Sequence, residues 1–423
     1  MENKRVENMK LAVICIGDEL LKGAVLNTNL AYMASSLLEN GIQVQFSAEV
    51  QDTREGIVRA LEKAFEQADW VITSGGLGPT ADDVTKEYIA AYLGYRLEEN
   101  GEVAVSIMQY WRERHGDVEM PTRILNQSLV PENALILRNR YGTAPGLLIR
   151  MDESHPRFPG KNIIMLPGPP DELEPMFKNS VLPVLKKEVQ NRIYSKCFYI
   201  CGIGESFVEE RMLPVLNRNP GLSAAYCASA GLVKLFLKSA SCEILSEGLR
   251  AVRKEFAGEM LSDSVSSPAE EILQLLREKG ETLATAESCT GGLIAKMITD
   301  IPGASDVYQG SAVSYANRIK ESILGVKKET LEAHGAVSAE TAEEMVRGLA
   351  RNFDVTAAIA TTGIAGPDGG TPEKPVGLVY VGLMYRERCE ILELHLSRSR
   401  QQIRERAAAQ ALIRLRQMIL EEL

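Results

Sequence analysis

Basic charge, histidine, paired cysteine and long apolar runs are all scarce in this 423-residue chain, and each scarcity removes a class of function. Lysine and arginine number 47 against 57 aspartates and glutamates, a formal net charge of -10. No global field therefore draws the protein to nucleic acid or anionic lipid, and nucleic acid is not an expected partner. No window approaches the roughly 18 uninterrupted apolar residues of a spanning helix, and the first ten residues are polar and charged, so neither a membrane span nor a secretory leader is expected. The seven cysteines are scattered; Cys197 and Cys201 stand four apart with no Cys or His cluster downstream, which argues against zinc and against a disulfide framework. A reducing, cytoplasmic setting is the expectation. The four histidines, His115, His155, His334 and His395, lie in charged, proline-rich, turn and strand contexts, and none has the surroundings of a Ser-His-Asp triad.

What is present is ample core material, 45% hydrophobic against 25% charged residues, in a length that predicts about three domains. Lys10–Ile16 reads as a buried strand, 26–40 as a helix stopped by Gly41, 42–50 as a strand, 53–68 as an amphipathic helix and 70–73 as a strand running into Gly75 and Gly76. This alternation, continued by strands at 135–137, 146–149 and 162–165, predicts an α/β domain with a mostly parallel sheet. Sites in such sheets lie at carboxyl ends of strands, so Gly17-Asp18-Glu19 and Gly75-Gly76-Leu77-Gly78 are expected to face one crevice. From 172 to about 258 short strands (197–201, 222–227, 232–237) and helices (205–216, 240–256) predict a small α+β module without a catalytic signature. A further α/β segment follows, with strands at 283–285, 307–314, 355–361 and 376–384 and a long closing helix over 404–420. The apolar segments of the middle module make a homodimer the expected assembly.

Two loop clusters carry chemistry. In the first, Gly75, Gly76 and Gly78 let backbone amides converge into a phosphate nest, with Asp82 and Asp83 just after it and Asp18 across the crevice. Carboxylates beside a phosphate imply a bridging divalent cation, Mg²⁺, Mn²⁺ or Co²⁺. The bland alternatives are that Asp83 caps a helix beginning near Thr85, and that Asn27 and Asn29 cap theirs rather than touch a nucleotide.

In the second, Ser288 stands between a strand and a helix entered through Gly291 and Gly292, so amides of 289–292 are placed to hold an oxyanion or a phosphate. Serine needs a base. Lys320 is the candidate, five residues from Tyr315 across a strand-to-helix turn, and a desolvated lysine falls below its free pKa. A solvated helix lysine is the alternative. Cys289 is the rival nucleophile and Thr290 a cap candidate. Thr362, Gly363 and Gly366 belong to a third glycine loop, 361–370, suited to a ribose or phosphate, and Arg404 is either a phosphate fork or a surface arginine. No metal is expected here.

Taken together, these motifs resemble the CinA (competence/damage-inducible) family over nearly the whole chain. Gly17-Asp-Glu-Leu-Leu21, Gly75-Gly-Leu-Gly-Pro-Thr80 with Asp82-Asp83-Val84-Thr85, Gly142-Thr-Ala-Pro-Gly146 and Leu166-Pro-Gly-Pro-Pro170 resemble its molybdopterin-binding-like first domain. Ala286-Glu-Ser-Cys-Thr-Gly-Gly292, Gly363-Ile-Ala-Gly-Pro-Asp-Gly-Gly370 and Lys374-Pro-Val-Gly377 resemble its amidohydrolase domain. The resemblance implies a multidomain α/β protein: residues 1–171 molybdopterin-binding-like, 172–260 a KH-like α+β connector, 261–423 an α/β nicotinamide mononucleotide deamidase. It implies Ser288 as nucleophile with Lys320 and Tyr315 as base system, and substrate contacts from Thr290, Gly291, Gly292, Thr362, Gly363, Gly366 and Arg404. For the first domain it implies a metal-dependent ADP-ribose pyrophosphatase using Gly75, Gly76, Gly78 and Asn29, with Asp18, Asp82 and Asp83 on the metal. A vestigial or pterin-binding first domain, or a non-catalytic competence or DNA-damage scaffold, are the alternatives.

Overall fold

The computed structural model describes residues 9–80, 82–189 and 193–422. The chain divides into two compact units, Met1–Ser195 with Lys238–Cys242, and Lys196–Leu237 with Glu243–Leu423.

The first unit contains β1 (Leu11–Ile16), β2 (Val44–Val50), β3 (Trp70–Ser74), a small antiparallel pair β4 (Leu97–Glu99) and β5 (Leu129–Pro131), then β6 (Leu135–Leu137), β7 (Gly146–Arg150) and β8 (Asn162–Leu166). Its main sheet has the order β2-β1-β3-β8-β7-β6. Every residue of β1 is buried because the sheet is covered on both faces. Ala12, Ile14 and Ile16 meet Ile57, Leu61, Ala64 and Phe65 of helix Arg54–Gln67 on one side, while Leu11, Val13 and Cys15 meet Met33 and Leu37 of helix Thr28–Glu39 on the other. The i, i+4, i+7, i+8 spacing of those four residues gives the Arg54–Gln67 helix its apolar stripe, and Thr53 caps it by accepting from the Gly56 amide. The strands are parallel from β2 through β8, as the alternation predicts, but β7 and β6 run antiparallel. Their links, 138–145 and 151–161, are too short for the crossover of a dozen or more residues that parallel pairing needs.

β9 (Tyr194–Cys201), β10 (Leu222–Ser229) and β11 (Leu232–Ser239) form a sheet of order β10-β11-β9 with helices Glu205–Arg218 and Cys242–Glu255, all but the first two residues of β9, the last two of β11 and Cys242 belonging to the second unit. A five-stranded sheet follows: β12 (Leu283–Glu287), β13 (Tyr308–Val313), β14 (Ala357–Gly363), β15 (Leu378–Tyr385) and β16 (Arg388–His395), in the order β13-β12-β14-β15-β16. β12 sits centrally and parallel to both neighbours, whereas β15 and β16 are antiparallel additions. Helix Ala339–Phe353 covers one face through Met345, Val346 and Leu349; helices Pro268–Lys279 and Arg400–Glu421 cover the other. Arg416, 2% exposed, pairs with Glu271 and donates to the carbonyls of Gly258 and Met260, tying the stretch after helix Cys242–Glu255 to the last helix.

Candidate active site

β12 delivers Glu287 and then Ser288 to the carboxyl edge of the second sheet, where the Ser288 amide donates to Thr361 O of β14 at 2.9 Å. Gly291 and Gly292 adopt left-handed φ angles of 61° and 90°, turning the chain into helix Leu293–Thr299. The buried Glu287 carboxylate accepts from the amides of Gly292 (2.9 Å), Ile294 (3.1 Å) and Ala295 (2.8 Å). The positive end of that helix is therefore answered by a protein carboxylate. This corrects the expectation that the Gly292 amide faces the serine or a phosphate; the 289–291 turn is the part that Glu287 leaves alone.

Lys320, on helix Asn317–Leu324, is 1% exposed. Its Nζ lies 3.1 Å from Ser288 Oγ, 2.7 Å from Ser314 O and 3.4 Å from Tyr315 O. Burial pushes the amine below its ordinary range, and among the described residues no carboxylate pairs with it. Nζ donates to all three oxygens, as an ammonium's three N–H groups can; on losing a proton the amine keeps the two carbonyls as acceptors and turns its lone pair to the serine hydroxyl. Cys289 is 6% exposed, and burial pushes its thiol up to about 11, so it is protonated at neutral pH.

Of the other expected residues, Tyr315 is brought in by its carbonyl and not by its phenol. The residue is 63% exposed, and its hydroxyl accepts from Arg400 Nη2 at 3.3 Å. Arg404 is no free surface group: Nη2 and Nε donate to Thr290 O at 2.6 and 3.2 Å. Thr290 is not a cap, since its hydroxyl pairs with Thr361 Oγ1 at 2.7 Å. Thr362 Oγ1 donates to Ala336 O, Gly363 ends β14, and Gly366 O accepts from Arg400 Nη1 at 2.8 Å. Glu287 and Arg400 join the site beyond the residues that the sequence motifs single out as catalytic or substrate-binding.

In the first unit, a cavity of about 510 Å³ opens at the carboxyl ends of β1 and β3 and is lined by Asn29, Gly75, Gly76, Gly78, Asp82 and Asp83, among others. Asp18 does not line it; its carboxylate turns outward to Lys22 Nζ at 2.9 Å. The acids that take its place are Glu19 and Asp52. Asp52 Oδ2 accepts from the Asp18 amide at 3.0 Å, and burial, with Glu19, Asp18 and Asp82 nearby, holds its carboxyl above the usual range. Asp83 caps no helix: helix Thr85–Leu93 lacks a side-chain cap, and Asp83 Oδ2 instead takes the Thr80 amide (2.9 Å) and hydroxyl. The Gly75 amide is engaged by Leu166 O. Asn27, not Asn29, caps helix Thr28–Glu39. These carboxylates are hard donors of the kind Mg²⁺ prefers, yet among the described residues no three His, Cys, Asp or Glu side chains converge on a point that could hold a metal.

Residues 12–187 match the family model described as "Probable molybdopterin binding domain", and residues 265–419 match the "CinA C-terminal domain". A CinA-like protein of Kosmotoga olearia is 41% identical over 418 residues, covering 97% of this chain and 99% of its own. The chain belongs to the CinA family. A competence-damage inducible protein of Thermoanaerobacter pseudethanolicus is likewise 42% identical over 419 residues, covering 97% and 99%. Among solved structures, CinA from Thermoplasma acidophilum is 34% identical, covering 42% of this chain and 99% of that one, with a TM-score of 0.37. CihA from Agrobacterium tumefaciens is 41% identical, covering 35% and 91%, with a TM-score of 0.35. No helix among the described residues of this CinA-family chain is long and apolar enough to cross a membrane.

Proposed function

We propose that the C-terminal CinA domain hydrolyses the carboxamide of nicotinamide mononucleotide, giving nicotinate mononucleotide and ammonia. The observation that carries this reading is the buried Lys320 amine 3.1 Å from Ser288 Oγ with carbonyls as its other partners. Neutral Lys320 takes the hydroxyl proton as Oγ bonds to the carboxamide carbon. Amides of the 289–291 turn, which Glu287 does not engage, stabilise the oxyanion. Lys320 returns the proton to nitrogen as the carbon–nitrogen bond breaks and ammonia leaves. A water, deprotonated by the same amine, then cleaves the acyl ester and restores Ser288. Tyr315 serves through its carbonyl, which helps hold Nζ; Arg404 fixes the turn through Thr290 O, and its role is positional.

For the first domain, the match to a molybdopterin-binding model favours binding of a phosphorylated or pterin-like ligand. Metal-dependent cleavage of ADP-ribose is the second reading, favoured by the acids Asp52, Asp82 and Asp83 around the glycine turn. Ammonia release from nicotinamide mononucleotide by wild type and Ser288→Ala tests the first proposal: release by wild type alone supports it, and equal rates refute it. A scaffold without catalysis releases none from either. Phosphate-product release from ADP-ribose, with and without Mg²⁺, Mn²⁺ or Co²⁺, separates the two readings of the first domain.

A further inference from the structure

Two side-chain amides border the first-domain crevice, and each is oriented by what its nitrogen touches. Gln127, 2% exposed, donates Nε2 to Leu77 O at 3.0 Å. Asn29 donates Nδ2 to Gly168 O at 2.7 Å and to Ser74 Oγ at 3.0 Å. A backbone carbonyl only accepts, so the amide nitrogens must face Leu77 and Gly168, and the amide oxygens must point the other way. Gln127 Oε1 and Asn29 Oδ1 are both buried and take a hydrogen bond from no described residue. Both residues line the same cavity, one at the Ser74 end of the glycine turn and the other at its Leu77 end.

A buried acceptor without a donor is disfavoured, and native proteins keep few of them, often where a ligand supplies the missing group. The other polar side chains of the wall include Glu19, Asp52 and Glu172, which add further acceptors. At both ends of the glycine turn, then, a residue that lines the crevice carries a buried acceptor without a donor.

We propose that Gln127 Oε1 and Asn29 Oδ1 form a recognition pair for hydrogen-bond donors on the ligand of this crevice, either a ribose diol or the amino and ring N–H edge of a pterin-type heterocycle. The proposal rests on the reading that the crevice binds a small phosphorylated or pterin-like molecule, and it adds which end of that molecule is read and by which atoms. A fully ionised phosphate group offers no such donors, so the pair selects the organic part of the ligand.

The test is calorimetric titration of the full chain with ADP-ribose and, separately, with pterin. Wild type is expected to bind at least one of them, and Gln127→Met to weaken that ligand by about ten- to a hundredfold, the size expected when one buried hydrogen bond is lost. A ligand-side arm needs no variant: an ADP-ribose analogue without ribose hydroxyls, or a pterin analogue without the amino group, is expected to lose a similar factor on wild type. Loss confined to one probe says which donor chemistry the pair reads. Equal affinity for variant and wild type, together with equal affinity for analogue and parent, overturns the proposal and leaves the crevice reading standing. Failure of wild type to bind either probe overturns the crevice reading, and the proposal with it.

Discussion

Replacing Lys320 by methionine keeps an unbranched side chain of similar volume in a 1% exposed position and removes only the nitrogen beside Ser288 Oγ. A positioned general base contributes about 10²–10⁴ in rate, or about 3–5.5 kcal/mol of barrier at about 1.4 kcal/mol per tenfold. Ammonia release by Lys320→Met is expected to fall in kcat by that factor. KM should change little, because the Nζ contacts are Ser288 and the backbone of Ser314 and Tyr315. In wild type, activity should rise with pH and level off at an inflection below lysine's ordinary 10.5, since burial lowers the pKa and only the neutral amine accepts a proton. Stability is linked to the same shift. Between the lowered folded pKa and the unfolded value the unfolded chain carries more protons, so wild type gains stability relative to Lys320→Met as pH rises through that window, and the difference is flat below it. Stopped ammonia assays across pH, paired with denaturant melts, measure both. A variant within about threefold of wild type, or an inflection at 10.5 or above, refutes the base assignment.

Glu287→Gln replaces a charged acceptor of three amides with a neutral one, and a loss of about 1.5–3 kcal/mol in unfolding free energy is expected from denaturant melts, with kcat reduced because the Ser288 turn loses its anchor. Cys289→Ser should retain deamidase activity, because the buried thiol is protonated at neutral pH; abolished activity would make the cysteine the nucleophile. Arg416→Met leaves Glu271 as an unpaired buried carboxylate and is expected to destabilise the chain by about 3–5 kcal/mol in urea melts while sparing ammonia release under folding conditions.

Much of the fold is legible in the sequence wherever a strand is buried on both faces. The runs read at 10–16, 70–73 and 162–165 announce themselves by their apolar residues and lie within one residue of β1, β3 and β8, and Leu135–Leu137 is read with the same bounds that the structure has. The stretch between 97 and 131 is not legible. Helix Gly101–His115 leaves Val105 59% and Met108 38% exposed, so its apolar residues do not fall on one stripe. The closing helix begins at Arg400 and not Arg404, and the signal for it is Ser399 with Gln402, which form a capping box. That one turn decides which arginine reaches Tyr315 and which reaches Thr290. Ser288 and Lys320 are separable from the sequence as a hydroxyl after a strand and a lysine after a turn; their contact depends on β12 and β13 being neighbours. Asp52 is not legible as a site residue because it follows β2 with no glycine motif, and only the β2-β1-β3 order brings it beside the glycine turn. Asp18 differs from its expectation for the converse reason: strand-end position fixes the backbone, while the next residue's side chain, Glu19, is the one that lines the crevice.

The most direct test of the serine–lysine account is intact-mass analysis of the full chain quenched in acid during turnover of nicotinamide mononucleotide. Wild type is expected to carry a single adduct equal to the substrate less ammonia, mapping to the peptide that contains Ser288, and Ser288→Ala none. Ammonia release at full rate by a wild-type enzyme that never bears the adduct, or an adduct that persists on Ser288→Ala, contradicts it.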